Sequence, residues 1–265
     1  MVNTTYVEDE DREVRLEVLV EGDGEPVVLL PSAMRGAVDF GAIQRLLAEA
    51  GYRSFAVNPR GAGGSTPPPP EISLRDLADD VALVVEVLGG GYAHIVGHAL
   101  GNIVVRATAT YRPEVTATVS VMPCGGHSLD AHPVSDEVLA AFPRCHDETL
   151  SEDERLDALR LAFFARGNDP HSWLDGWWPT STFGALTAQR PDEWWRAGSA
   201  PILIIQPLED AMAPAEVGRE VAVALGERAT YVEIPNCGHA ILPERPNAVT
   251  AHLVAFFRAH PLAQT

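Results

Sequence analysis

Short apolar runs alternate with segments of helical period along most of the chain, and this alternation most constrains the fold. Strands that are apolar on both faces need cover on both sides, which helical connections between parallel strands provide. The pattern predicts an α/β fold with a mostly parallel sheet and helices on both faces, its opening strand antiparallel at one edge. The predicted strands are residues 14–21, 26–30, 53–57, 93–96, 117–122, 201–206 and 230–234, and the predicted helices are residues 40–50, 74–88, 100–111, 215–225 and 246–258.

The alternation stops between residues 125 and 198, where short amphipathic segments replace the strand–helix units. An insertion after a central strand of a parallel sheet lies over the carboxyl ends of the strands, where ligands bind. We therefore predict a core formed by residues 1–124 and 199–265 and a helical lid formed by residues 125–198. All five tryptophans lie in the lid, where they either form its own small core or line an apolar pocket: Trp173, Trp177, Trp178, Trp194 and Trp195.

The charge balance excludes several classes of partner. The 265 residues carry a formal net charge of −18, so a phosphate backbone or an anionic membrane would be repelled. All 19 basic residues are arginine, which excludes Schiff-base chemistry at a lysine and a phosphate-loop lysine. We expect a small-molecule substrate and neither a nucleic-acid nor a membrane partner. The sequence leaves open whether the protein forms a homodimer.

Localisation and cofactor content follow from features that the sequence lacks. The opening MVNTTYVEDEDREV has no basic stretch and apolar run of a secretory signal, and no apolar run reaches the roughly 18 to 20 residues that a bilayer requires. We therefore expect a cytoplasmic protein. Cys124, Cys145 and Cys237 are too scattered for a disulfide framework, and neither CxxC nor HExxH occurs. We expect free thiols, no metal and no cofactor.

The stretch IVGHALGN at residues 95–102 joins a predicted strand to a predicted helix. Gly97 and Gly101 flank Ala99 at the spacing G-x-S-x-G, typical of a nucleophile elbow. This sharp turn brings strand and helix backbones close together, so it needs glycine on both sides. Ala99 occupies the nucleophile position without a nucleophilic atom.

Two later loops carry an acid and a histidine. Glu209 and Asp210 follow the strand that ends near residue 206, and Gly238 and His239 follow the last strand. The order elbow, acid, histidine is that of α/β-hydrolases and differs from the two other well-known serine triad orders.

With these motifs, the chain resembles the α/β-hydrolase fold family over nearly its whole length. NPRGAGGST, which begins at Asn58, is similar to the family loop D-x-R-G-x-G-x-S, PLEDAMAP to its acid loop, and NCGHAILPERP to its G-H-x-x-x-x-E-x-P loop. The resemblance implies that Asp210 is the triad acid, with Glu209 as the fallback, and that His239 is the base at Ala99.

The resemblance also implies an oxyanion hole and an acyl substrate. The hole would use the N–H of Leu100 and an N–H at Ala33 or Met34, although Pro31 and Ser32 replace the customary His-Gly. The substrate would be an ester, a lactone or a related acyl compound with an apolar portion. The candidate substrate-binding residues are Ser32, His98, His127, Phe163, Trp173, Trp177 and Trp178.

Several of these candidates have a second interpretation. His98 fits a packed core residue, Ser32 fits a turn residue, and His127 with Ser128 fits a solvated start of the lid. The overall negative charge disfavours an anionic substrate unless an arginine reverses it locally, for which Arg35, Arg166 and Arg196 are the candidates.

Three interpretations of Ala99 remain open. The G-H-x-L-G-N surroundings favour an inactivated Ser→Ala form of an ordinary hydrolase. Alternatively, the chain is a natural lyase or hydrolase in which His239 and Asp210 act as a general base without a serine. It could also be a non-catalytic member that binds a small apolar ligand. Against this last interpretation, a strained elbow costs on the order of 1–3 kcal/mol, and a pure binder gains nothing from an intact acid–base pair.

Overall fold

A single eight-stranded sheet organises the computed structural model, which describes residues 2–125, 134–179 and 194–262. The strand order is β1-β2-β4-β3-β5-β6-β7-β8. The last six strands in this order are parallel to one another, whereas β2 is antiparallel to both β1 and β4. The strands are β1 (Asn3–Asp9), β2 (Val14–Glu21), β3 (Glu25–Leu30), β4 (Tyr52–Val57), β5 (Ala93–His98), β6 (Thr116–Met122), β7 (Ile202–Pro207) and β8 (Ala229–Ile234).

Helices cover both faces of the sheet, as predicted. Apolar side chains of α2 (Leu74–Leu88), α3 (Leu100–Tyr111) and α6 (Ala215–Leu225) pack on one face, and those of α1 (Gly41–Glu49) and α8 (Pro246–Ala259) pack on the other, which gives two buried clusters. Ser73 begins α2 with a capping box to Asp76, which satisfies N–H groups of the first turn. The helices are α1 (Gly41–Glu49), α2 (Leu74–Leu88), α3 (Leu100–Tyr111), α4 (Asp136–Ala141), α5 (Glu152–Ala162), α6 (Ala215–Leu225), α7 (Ile241–Glu244) and α8 (Pro246–Ala259).

The edge of the sheet differs from the prediction. The strand at residues 14–21 was expected at the edge, but β1 pairs with it on its outer side along seven residues, from Asn3 with Val20 to Asp9 with Val14. Within β1, Val7 alone is buried. A strand that is mostly exposed on both faces has almost no apolar alternation, so periodicity does not reveal it.

The described part of the insertion between β6 and β7 combines short helices with irregular segments. Helices α4 and α5 and two 3₁₀ turns pack around a small core that includes Phe163, Phe164 and Trp173. Trp194 and Trp195 instead join the core cluster beneath α2 and α3. The tryptophans therefore serve two different cores. His127 and Ser128 lie outside the described residues.

None of the described helices combines the length and the apolar character needed to cross a bilayer. Among the same residues there is no cluster of three or more metal-ligating side chains.

Candidate active site

The turn at Ala99 has the strained geometry of a nucleophile elbow. β5 ends at His98 and α3 begins at Leu100, and between them Ala99 adopts φ 50° and ψ −108°. A β-carbon on Gly97 would lie 2.2 Å from the carbonyl oxygen of Gly101, and one on Gly101 would lie 2.3 Å from that of Leu30. Only glycine fits at either position, because backbone atoms occupy the space of a side chain.

Asp210 and His239 form a buried acid–base pair. His239 Nδ1 lies 2.9 Å from Asp210 Oδ2 and 3.1 Å from Oδ1. Asp210 Oδ1 also accepts hydrogen bonds of 2.8 Å from the N–H groups of Met212 and Ala213, which hold the carboxylate in place. A proton on Nδ1 leaves Nε2 of His239 as a base. Glu209, the fallback acid, is exposed.

A cavity of about 380 Å³ extends from the elbow to His239. β5 lies between β3 and β6, so the loops after these three strands meet beyond the carboxyl ends of the central strands. Ser32, Asn102 and His239 are the polar side chains among the described lining residues, and His239 is the one titratable group. The wall consists of Ser32, Ala33, Ala99, Leu100, Asn102, Ile103, Pro123, Gly125, Leu139, Phe142, Phe163, Met212, Ala213 and His239.

The candidate oxyanion donors separate into two groups. Leu100 and Ala33 line the cavity beside Ala99. The N–H of Leu100 is in the first turn of α3, where the helix itself supplies no acceptor. Met34 instead lines a smaller cavity of about 40 Å³ behind the loop, and its carbonyl accepts the N–H of Trp178. Ala33 therefore lies at the cavity beside Ala99 and Met34 at the smaller one, whereas Ser32 and Leu100 border both cavities.

His98, a candidate substrate-binding residue, lies behind the cavity and is absent from its wall. It is fully buried, and its Nε2 lies 2.8 Å from the carbonyl oxygen of His239. Burial, with a smaller effect of His239, lowers the pKa of His98 to about 3. A neutral His98 therefore donates from Nε2 and supports the backbone of the base.

The aromatic candidates also differ in position. Phe163 lines the cavity, with its ring centroid 5.5 Å from that of His239. Trp173 is buried behind Phe163, and Trp177 packs against both rings. Trp178 borders the smaller cavity. None of the three tryptophans belongs to the described wall. Trp173 and Trp177 pack against Phe163, and Trp178 bonds Met34 of the candidate oxyanion loop, residues 31–34.

The three arginines considered for an anionic substrate do not reach the cavity wall. Arg35 is 2% exposed and forms two hydrogen bonds, of 2.7 and 2.8 Å, with Asp39. Its guanidinium also lies 4.7 Å from the ring centroids of Trp173 and Trp177. Arg166 and Arg196 are exposed elsewhere. Within the described wall, none of these three arginines is placed to offset the negative charge of the chain at the cavity.

The hydrogen bonds of Asn58 explain why an asparagine stands where the family loop D-x-R-G-x-G-x-S has aspartate. Its Oδ1 accepts the N–H of Ala37 at 2.7 Å, and its Nδ2 donates to Glu17 Oε1 at 2.6 Å. An aspartate could not donate to Glu17, and two carboxylates at this distance would repel each other. Asn58 thereby ties the segment after the oxyanion loop to β2.

Glu244 is a functional candidate that the sequence analysis did not single out. Its Oε2 accepts the N–H of Gly238 at 2.6 Å, and its Oε1 accepts the N–H of Ala165 at 2.8 Å and bonds Asn168. One carboxylate thus fixes the residue before His239 and the turn after α5. The glutamate of G-H-x-x-x-x-E-x-P was the available signal.

Comparisons with known proteins agree with this architecture. Residues 27–253 match the model of the alpha/beta hydrolase family. A Mycobacterium tuberculosis protein named "Putative non-heme bromoperoxidase BpoC" is 28% identical over 256 residues, covering 89% of this chain and 95% of that protein. A Variovorax paradoxus protein named "Putative carbamate hydrolase RutD" is 29% identical over 240 residues, covering 84% and 88%.

Among solved structures, one described as a "putative lipase" from Acinetobacter baumannii has a TM-score of 0.81. It is 18% identical, and the match covers 99% of this chain and 93% of that chain. At this identity the likeness shows the fold.

Proposed function

Because the chain belongs to the alpha/beta hydrolase family, we propose that it hydrolyses a neutral acyl compound with an apolar portion, an ester, a lactone or a related compound such as a carbamate. The proposal rests on the observation that His239, Ala99, Leu100 and Ala33 border one mostly apolar cavity. The relative named a carbamate hydrolase supports an acyl substrate.

In the proposed reaction, a water molecule takes the place of the hydroxyl that Ala99 lacks. His239 Nε2 accepts a proton from this water while the water oxygen attacks the acyl carbon. The N–H groups of Leu100 and Ala33 stabilise the oxyanion of the tetrahedral intermediate. As the intermediate collapses, the bond to the leaving group breaks and His239 returns the proton to it.

We also propose that the insertion acts as a lid over this reaction. Leu139, Phe142 and Phe163, all from the described part of the insertion, form an apolar wall of the cavity. Such a wall keeps bulk water away from the oxyanion, and bulk water would weaken the hydrogen bonds that the oxyanion accepts.

The substitution Ala99→Ser tests the proposed function. A serine hydroxyl at the elbow would add a bound nucleophile to an existing base and oxyanion hole. We expect hydrolysis of p-nitrophenyl butyrate to rise about a hundredfold or more over the unsubstituted chain. Absorbance of released p-nitrophenol gives both rates.

The variant His239→Gln, made alone and with Ala99→Ser, is the control. Loss of slow turnover in His239→Gln would support the water reaction in the chain as it stands. Turnover that depends on Ala99→Ser alone would instead support an inactivated hydrolase. Equal and negligible rates in all four proteins would contradict acyl hydrolysis and favour a lyase or a ligand-binding protein.

A further inference from the structure

Arg35 is a buried charged residue that directly follows the candidate oxyanion loop and that the proposed reaction does not use. Its side chain and that of Asp39 are 2% and 4% exposed. Arg35 Nε donates to one carboxylate oxygen of Asp39 and Nη2 donates to the other, so the two groups form a bidentate pair. This pair fixes the plane of the guanidinium and leaves Nη1 to bond another part of the chain.

The remaining contacts of the guanidinium are with the insertion. Its Nη1 donates to the carbonyl oxygen of Asp175 at 2.7 Å. Its central carbon lies 4.7 Å from the ring centroids of both Trp173 and Trp177, within the range of cation–π attraction. All three partners belong to one short segment of the insertion, residues 173–178. Arg35 therefore connects the end of the candidate oxyanion loop to this segment.

The same segment also holds the loop through a backbone hydrogen bond. The N–H of Trp178 donates to the carbonyl oxygen of Met34 at 2.8 Å. Met34 adopts φ 58°, a left-handed conformation that is uncommon for a residue with a side chain. Strained backbone of this kind persists where the surrounding structure holds it. Ala33, the candidate donor, is the residue before Met34, so a shift of the Met34 backbone would also move the N–H of Ala33.

We infer that Arg35 is a positioning residue, which holds the candidate oxyanion loop in place against residues 173–178 of the insertion. The inference rests on the proposed function, in which the N–H of Ala33 stabilises the oxyanion. An oxyanion hole acts through donors that are in position before the charge develops. Loss of the Arg35 contacts should therefore lower kcat more than it weakens substrate binding, because the donor is needed most in the transition state.

Arg35→Lys tests the inference in two measurements. Lysine keeps a cation beside Asp39, but its ammonium cannot reproduce the planar fork that bonds Asp39 and Asp175 together. Hydrogen exchange followed by mass spectrometry should show about tenfold faster exchange of the backbone of residues 31–36, because the loop opens more often. In the Ala99→Ser background, Arg35→Lys should lower kcat for p-nitrophenyl butyrate about tenfold, with KM changed by less than about twofold.

Arg155→Lys is the matched control. Arg155 also donates to backbone carbonyls of the insertion, those of Cys145 and Leu174, and none of its described bonds reaches residues 31–36. This variant should leave the exchange of residues 31–36, kcat and KM nearly unchanged. Equal effects of the two substitutions would show that any weakening of the insertion has this result, and would overturn the specific role of Arg35.

The double variant Arg35→Met with Asp39→Leu removes both buried charges together and carries the same expectations should Arg35→Lys not fold. Unchanged exchange of residues 31–36 would overturn the inference, whether or not substrate is turned over. Faster exchange with unchanged kcat would overturn the positioning role and leave Arg35 a structural contact. Absence of turnover in Ala99→Ser itself would count against the proposed function, and the exchange measurement would still decide whether Arg35 holds the loop.

Discussion

The loops that carry Asp210 and His239 differ from the elbow that carries Ala99 in how many of their polar groups have partners inside the protein. The carboxylate of Asp210 receives two N–H groups and the His239 ring, and the His239 loop is held through Glu244 and His98. At the elbow, Ala99 has no polar side chain. Under the proposed function, His239 supplies the base and the attacking group comes from water.

Of the predicted effects, the largest is the loss of kcat on replacing Asp210, the candidate triad acid. In the Ala99→Ser background, Asp210→Asn should lower kcat for p-nitrophenyl butyrate by about 10⁴-fold, because the amide no longer keeps the proton on His239 Nδ1. Glu209→Gln is the matched control, since Glu209 is exposed and adjacent in sequence. Similar losses in both variants would contradict the assignment of Asp210.

The elbow can be tested through its glycines. Gly101→Ala should lower the free energy of unfolding by about 3 kcal/mol, because the new β-carbon would meet carbonyl oxygens of Leu30 and Pro31 at 2.3 and 2.8 Å. Urea denaturation measures this change. Gly41→Ala provides the control, since its β-carbon would have one neighbour, a side-chain atom of Arg45 at 3.9 Å. Equal stability of the two variants would show that the elbow is not tightly packed.

The smallest effect is the contribution of His98 to the pH dependence of stability. His98 connects the elbow to the His239 loop through its bond to the carbonyl of His239. Its folded pKa of about 3 lies below the unfolded value of about 6.5, so between these values the unfolded chain binds a proton that folded His98 does not. Stability due to His98 should therefore fall with decreasing pH, by about 1.4 kcal/mol per pH unit.

His98→Gln isolates this contribution, because a glutamine amide can still donate to the carbonyl of His239 but does not titrate. Urea denaturation between pH 7 and 5 should give a shallower slope for the variant. Parallel slopes would contradict a neutral, buried His98.

Much of the fold follows from local patterns. The helices at residues 74–88, 100–111 and 215–225 begin and end where the apolar period predicts, because each presents one apolar stripe to the sheet. β1 escaped prediction because its pairing with β2, and not its own composition, makes it a strand.

The candidate site was only partly predictable. Motifs that combine neighbouring residues, such as the elbow and the histidine loop, were visible in the sequence. The positions of Ala33 and Met34 at two different cavities were not, because they depend on how one loop turns. The positions of the tryptophans were not visible either. They depend on which hydrophobic core each part of the insertion packs into.

Local patterns in the sequence were enough to predict seven of the strands, five of the helices, the elbow with alanine at its centre, and the loops that bear Asp210 and His239. These features depend on residues close together in the chain. The tertiary structure alone decided which polar groups find partners: Arg35 bonds the carbonyl of Asp175, 140 residues away, and His98 that of His239, 141 residues away. Such pairings require the folded chain, because only packing brings distant groups within hydrogen-bond distance.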